Sequence, residues 1–278
     1  MSASPSPAAT GRIAFLGGGN MARSLIGGLV ARGADPASIH VAEPAEVLRQ
    51  ALARDFGVQV FAEATAAAEG TDLWLLAVKP QVMQAVCEAL APQAQATRPL
   101  VVSIAAGVTV ARLQQWLGGE VPVVRCMPNT PALLGAGVTG LFAGAGVDAT
   151  RRARADAVLA SAGQTVWIER EALMDAVTAV SGSGPAYVFL LAEAMQAAAE
   201  AEGLPAADAR TLVSQTLLGA GRMLAESEEP ATELRRRVTS PGGTTQAAIE
   251  TFQAGGFEAL VGQAVAAARR RGAELAGG

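Results

Sequence analysis

The sequence predicts an α/β domain built on parallel strands, followed by an all-helical domain. Three observations predict it. Near the start, the apolar run Ile13-Ala14-Phe15-Leu16 enters the glycine turn Gly17-Gly18-Gly19, and the turn opens a long apolar-periodic helix through Val30. Between residues 38 and 168, short apolar runs alternate with helical stretches. From Glu171 the strand signals stop and the pattern reads helical to the end. The expected division is a tail over residues 1–10, an α/β domain over 11–170 and a helical domain over 171–278.

The first unit is a strand, a glycine turn and a helix, with the spacing G-x-G-x-x-A at Gly17, Gly19 and Ala22. That is the fingerprint of a Rossmann βαβ unit, and each position has a physical task. Gly17 permits the tight turn. Gly19 lets backbone approach a pyrophosphate resting on the free N–H groups of the helix start. Ala22 keeps the helix close to the strand. The alternative is a glycine turn that holds no ligand.

The chain then continues in βα order. Residues 38–43 form a short strand ending at Glu43, some 20 residues beyond the turn. An acidic side chain there accepts from the ribose hydroxyls of an adenosine and repels a 2′-phosphate; the alternative is a solvated loop glutamate. His40 lies in or before this strand, away from the reacting end. A helix over 45–55 and a short strand over 58–61 follow. Residues 72–78 are continuously apolar, as a parallel strand covered on both faces should be, and Lys79-Pro80 opens the next helix. Ligands bind outside the carboxyl ends of such strands, so Lys79 is expected on the cofactor rim. The strand over 100–104 ends in Ala105-Ala106-Gly107, small enough for a ring to lie against backbone. Another strand over 121–126 ends in Met127-Pro128-Asn129-Thr130-Pro131, whose prolines stiffen the loop. A glycine-rich stretch over 134–146, a helix over 150–162 and a strand over 164–168 complete the domain. Trp74, Trp116 and Trp167 are expected to pack the core.

Helices are expected over 171–180, 185–202, 205–226, 232–238, 243–254 and 257–275. The second and third of these are so rich in Ala and Leu that their outer faces read apolar, which predicts a homo-oligomer. Two loops interrupt the helices, Ser181-Gly182-Ser183-Gly184 and Ser240-Pro241-Gly242-Gly243-Thr244-Thr245. Glycines cost stability at helix starts unless something must come close. Beside Gly243, Thr244 and Thr245 the helix start offers amides and two hydroxyls for a small carboxylate; the alternative is ordinary capping by Ser240 and Ser183.

Composition narrows the chemistry. The chain of 278 residues is 51% hydrophobic but only 4% aromatic, so the core must rest on Ala, Val and Leu. The net charge of -4, without a basic run, argues against a nucleic-acid partner. Cys87 and Cys126 lie far apart without metal-ligand spacing, and no metal is expected. Residues 1–10 carry neither a basic start nor an apolar core, and no stretch reaches the roughly 18 apolar residues of a membrane span. A cytoplasmic location is expected. There is one His, one Tyr and a single lysine, Lys79. A mechanism needing a His or Lys acid has almost nothing to draw on.

Taken together, Leu16-Gly17-Gly18-Gly19-Asn20-Met21-Ala22, Ala77-Val78-Lys79-Pro80, Ser103-Ile104-Ala105-Ala106-Gly107, Met127-Pro128-Asn129-Thr130-Pro131, Ser181-Gly182-Ser183-Gly184-Pro185 and Ser240-Pro241-Gly242-Gly243-Thr244-Thr245 resemble, in this order, the pyrroline-5-carboxylate reductases. The resemblance runs from Ile13 to about Leu275. It implies reduction of 1-pyrroline-5-carboxylate to L-proline with NADPH or NADH, and a helical dimerisation domain whose dimers often assemble into a decamer. It also implies a substrate site where the helices meet the cofactor cleft. By the same resemblance, residues 16–22, Ala77 to Pro80 and Ala105 to Gly107 contact the cofactor, while Glu43 is expected there from its place after the second strand. Thr245 is the hydroxyl near the ring nitrogen, Gly243 and Thr244 neighbour the carboxylate, and Glu228 matches a substrate-contacting glutamate. Pro230 and Leu234 are spaced one residue wider than in the family pattern. Ala64 and Glu43 stand where relatives carry polar groups for the adenosine phosphate. The chemistry suits the scarcity of acids. A cyclic imine that arrives protonated becomes a neutral amine and needs no strong proton donor. A carbonyl reductase with a catalytic lysine on the helix over 185–202 is the rival, but that helix has no lysine. A non-catalytic nucleotide-binding protein would have no reason to keep residues 242–245.

Overall fold

The computed structural model describes residues 11–277; the expected tail over 1–10 lies outside the described residues. The chain divides into two compact units, one of residues up to Ser183 together with the chain from Ala268 on, the other Gly184–Ala267.

The first unit is built on one sheet with strands in the order β3-β2-β1-β4-β5-β6-β7-β8. The strands are β1 (Ile13–Leu16), β2 (Ile39–Ala42), β3 (Gln59–Phe61), β4 (Leu73–Leu76), β5 (Leu100–Ser103), β6 (Val123–Met127), β7 (Gly137–Ala143) and β8 (Gly163–Trp167). The first six are parallel, β7 runs antiparallel to β6, and β8 is again parallel to β7. The order 3-2-1-4-5-6 is the doubly wound arrangement, with its topological switch between β1 and β4. The expected Rossmann domain is borne out.

The central strands β1 and β4 are apolar throughout and fully buried, because both faces are covered. On one face Phe15, Val41, Leu75 and Val102 pack with Ala22, Leu25 and Leu29 of α1 (Asn20–Ala31) and with Val158 of α6 (Ala149–Leu159). On the other, Leu16, Trp74 and Leu76 pack with Met83, Cys87 and Leu90 of α4 (Pro80–Thr97) and Leu113 of α5 (Val110–Trp116). Trp74 is fully buried and donates its indole N–H to Thr71 Oγ1 at 3.0 Å. Trp116 and Trp167 are partly buried against the two cores.

Three parts of the first unit differ from the sequence reading. The stretch over 134–146 contains β7, a strand of seven residues, inside the expected glycine-rich loop. Two helices were not anticipated, the five-residue α3 (Ala64–Ala68) and α5. The expected helix over 171–180 is a 3₁₀ turn (Glu171–Leu173), a short α7 (Met174–Val177) and a π-turn (Thr178–Gly182). Ser181 and Gly182 therefore belong to helical backbone and not to an open loop.

Arg125, on β6 and only 6% exposed at its side chain, reaches Glu171 at 3.3 Å and Asp175 at 3.5 Å. Glu171 also accepts the Val110 N–H at 2.8 Å. This buried cation is thus paired, as the cost of desolvating a charge demands, and it ties the segment before the π-turn to the sheet.

The second unit holds α8 (Gly184–Ala201), α9 (Ala206–Glu226), α10 (Ala231–Arg237), α11 (Thr244–Ala254) and the first part of α12 (Phe257–Gly277). The helix ends follow the sequence signals within two residues. Among the described residues, no helix is long and apolar enough to cross a membrane.

Candidate functional site

The glycine turn lies at the carboxyl end of β1. Gly17 has φ +111, and a Cβ on it would sit 2.8 Å from the Ala77 backbone. Glycine is needed there for conformation and for space. Gly19 is the N-cap of α1 with no side-chain cap, and a Cβ on it would meet nothing within 4 Å. The helix start therefore faces open space with its first amides uncapped, and a pyrophosphate fits that cradle. Ala22 is fully buried in the strand–helix contact.

Glu43 follows β2 and is half-buried. Its carboxylate is held by backbone on two sides: Oε2 accepts from Gly18 N at 3.1 Å and Oε1 from Ala45 N at 3.0 Å. The solvated-loop alternative does not describe this side chain. A Cβ on Gly18 would lie 2.6 Å from Leu52 and 3.2 Å from Glu43, so glycine here also makes room for the carboxylate. Arg49 turns its Nη1 to the carbonyls of Glu43 at 2.8 Å and Pro44 at 3.0 Å. His40 lies inside β2, donates from Nδ1 to the Ala67 carbonyl at 2.9 Å and packs against Phe61.

Ala77, Val78, Lys79 and Pro80 leave the carboxyl end of β4, with Ala77 N bonded to the Leu16 carbonyl at 2.8 Å. Lys79 is exposed and is the N-cap residue of α4, with Pro80 at the helix start. Ala105, Ala106 and Gly107 leave the carboxyl end of β5; Ala105 is buried, Ala106 is exposed and Gly107 has φ +77. Together with Leu16, Asn20 and Met21, these residues line one edge of the sheet on both sides of its switch point. The two thiols take no part there. Burial pushes the Cys87 thiol up to about 12, with Glu88 adding to it, and pushes Cys126 well up too.

In the second unit, Gly242 (φ +72) and Gly243 precede α11. Gly243 is its N-cap and no side chain caps the helix. Ser240 therefore does not fill the capping role that was the alternative reading. The side chain that reaches back is that of Gln246, whose Oε1 accepts from Gly242 N at 2.7 Å. Thr244 and Thr245 are the first two residues of α11; Thr244 is exposed and Thr245 half-buried. Glu228 is exposed in the segment before α10, while its neighbour Glu229 is taken by an ion pair with Arg237. Sequence reasoning missed the Glu43–Gly18 bond and the bonding of Asn129, described below; the paired prolines around Asn129 were the one signal of the latter.

A doubly wound sheet with this glycine cradle, joined to a helical unit with an uncapped, threonine-bearing helix start, defines a dinucleotide-dependent oxidoreductase of two-domain type. Comparison with known proteins narrows the class. Residues 171–275 match the family model described as pyrroline-5-carboxylate reductase dimerisation, and residues 12–107 that described as NADP oxidoreductase, coenzyme F420-dependent. The chain is 54% identical to the pyrroline-5-carboxylate reductase of Pseudomonas aeruginosa over 267 residues, covering 96% of this chain and 97% of that one. It superposes on the structure of a pyrroline-5-carboxylate reductase from Coxiella burnetii with a TM-score of 0.93 at 42% identity, covering 96% of this chain and 98% of that one. A Plasmodium falciparum pyrroline carboxylate reductase structure with NADP bound gives 0.82 at 27% identity, covering 95% and 98%. The chain belongs to the pyrroline-5-carboxylate reductase family.

Proposed function

We propose that this chain reduces 1-pyrroline-5-carboxylate to L-proline with NADPH or NADH through the residues named above. The observation that carries the assignment of residues is the uncapped start of α11 behind Gly242 and Gly243, in a chain with one lysine and one histidine. Residues 11–170 hold the cofactor, and residues 171–278 carry substrate and the dimer contact. When bound, the reduced nicotinamide supplies hydride to the carbon of the C=N bond. Leu16 to Ala22 seat the pyrophosphate, Glu43 takes the adenosine ribose, and Ala77 to Pro80 with Ala105 to Gly107 form the rim of the nicotinamide half. The amides of Gly243 and Thr244 receive the substrate carboxylate, where the helix dipole favours an anion. Thr245 Oγ1 accepts the N–H of the protonated ring nitrogen and fixes the ring; Glu228, negative and free of the neighbouring ion pair, balances its charge. The C=N electron pair ends on nitrogen as hydride arrives, leaving a neutral amine, so no side chain has to release a proton. Positioning supplies the rate.

The same reading gives dimers of this chain in the cytoplasm, without nucleic-acid partners; in this family such dimers often assemble further into a decamer, and the sequence leaves dimer and decamer open. Sedimentation of the purified chain distinguishes dimer from decamer. The test of the activity is oxidation of reduced nicotinamide followed with 1-pyrroline-5-carboxylate. Turnover with formation of proline is expected, and no turnover with either cofactor would overturn the proposal.

A further inference from the structure

Asn129 has a place in the molecule that the cofactor and substrate assignments leave unused. It follows β6, the last of the six parallel strands, on the same sheet edge as the glycine turn. In a doubly wound sheet the β4–β5–β6 half of that edge receives the second mononucleotide, here the nicotinamide. The Asn129 side chain is half-buried and both ends of its amide are bonded. Oδ1 accepts from Val138 N, at the start of β7, at 2.9 Å. Nδ2 donates to the Ser181 carbonyl at 3.2 Å.

The second bond answers a specific deficit. In a continuing helix the Ser181 carbonyl would receive the N–H four residues on, but that residue is Pro185, which has none. The π-turn Thr178–Gly182 displaces the regular ladder as well; Ser183 N bonds the Thr178 carbonyl at 2.8 Å, five residues back. Such turns are rare and frequent at functional sites. The corner is also pressed onto the sheet: a Cβ on Gly182 would lie 2.6 Å from Met127 Cε, at the end of β6.

We propose that Asn129 is a positioning residue for the reduction. Its amide pins the Ser181–Gly182 corner to the carboxyl end of β6, and that corner supports the surface on which the nicotinamide is aligned for hydride transfer. Asn129 touches neither reactant; it acts through the backbone it holds. The inference rests on the reductase activity proposed above.

The test compares full-length wild type with Asn129→Asp, which keeps an acceptor for Val138 N and turns an oxygen instead of a donor towards the Ser181 carbonyl. Asn129→Ser, which removes the amide without adding charge, is the second variant. Measured are kcat, both KM values, the Kd of the reduced cofactor by fluorescence, and the kinetic isotope effect with cofactor deuterated at the transferred position. The expected result is a fall in kcat of about 30-fold or more, since misplacement of order 1 Å costs up to about a hundredfold. The KM values and cofactor Kd stay within about threefold, and the isotope effect on kcat rises as hydride transfer becomes limiting. If Asn129→Asp does not fold, Asn129→Ser decides by the same criteria. A kcat within threefold of wild type, or a loss carried wholly by weaker cofactor binding with an unchanged isotope effect, overturns the inference. A wild type without turnover overturns the activity and this inference together; a variant as fast as an active wild type overturns this inference alone.

Discussion

Glu43 cannot easily swing away from the carboxyl end of β2, where we propose the adenosine ribose lies. Two backbone N–H groups hold its oxygens, and the donor from Gly18 belongs to the glycine turn itself. A 2′-phosphate arriving there would meet a fixed carboxylate, while ribose hydroxyls can still donate to its remaining lone pairs. The chain is therefore expected to use NADH appreciably, and Glu43→Ser to shift the kcat/KM ratio towards NADPH by about tenfold or more, about 1.4 kcal/mol. Steady-state kinetics with both cofactors measure this. A wild-type preference for NADPH above about a hundredfold, about 2.7 kcal/mol, would place the control elsewhere, with Arg49 the first candidate: its Nη1 is engaged by the Glu43 and Pro44 carbonyls, and a guanidinium keeps further N–H donors on Nε and Nη2 for a phosphate. Thr245 offers the second residue-scale prediction. Thr245→Val preserves shape and removes one oxygen. A hydrogen bond to a charged partner is worth about 1.5–3 kcal/mol, so kcat should fall about 10- to 150-fold with the circular dichroism unchanged. Unaltered kinetics would remove Thr245 from the mechanism.

At the scale of elements, the parallel part of the sheet was readable because fully buried strands are continuous apolar runs and the glycine spacing marks the first turn. The glycine-rich stretch over 134–146 misled for a physical reason. Glycines usually mark turns, but Gly140 of β7 answers to a close neighbour far along the chain: a Cβ on it would lie 2.6 Å from Val177. Contacts with residues distant in sequence leave no local signature, so a strand looked like a loop. The π-turn was hidden likewise, since its last two residues, Ser181 and Gly182, open a Ser-Gly-Ser-Gly run that suits a loop, and its partner Asn129 lies 52 residues away. The glycine turn and its place at the carboxyl end of β1 were legible from the motif, whereas the bond joining Glu43 to the turn exists only in the folded chain. One helix end carries a prediction of its own. Arg98 ends α4 in the left-handed region, φ 47, ψ 54, with its N–H on the Ala94 carbonyl at 2.9 Å. A side chain costs about 1–2 kcal/mol there, and glycine gives part of that back as unfolded-state entropy. Arg98→Gly is expected to stabilise the fold by about 1 kcal/mol, raising Tm by about 2–4 °C. Urea unfolding at constant m-value checks it; a lower midpoint would show that the Arg98 side chain makes a contact worth more than the strain.

At the scale of the whole molecule, the helical unit does not cover its own apolar surface. Val188, Phe189 and Leu190 are consecutive in α8 and 48%, 61% and 66% exposed, so the helix is apolar around its circumference. Along α9 only Ala209 and Val213 are buried, while Leu212, Leu218 and Leu224 are more than half exposed. A monomer does not leave such a surface in water at equilibrium, and the match to a dimerisation family over residues 171–275 says what covers it. Folding and assembly are then one equilibrium, and Tm should rise with protein concentration. Phe189→Glu puts a charge into the covered face. An unpaired buried charge costs about 3–5 kcal/mol, which weakens association more than a hundredfold. Sedimentation at micromolar concentration should give an oligomeric wild type and a monomeric Phe189→Glu variant with lower Tm and little activity. A wild type that sediments as a monomer, with Tm independent of concentration, would refute the covered face; a variant that stays oligomeric would move the contact away from Phe189 and onto the exposed leucines of α9.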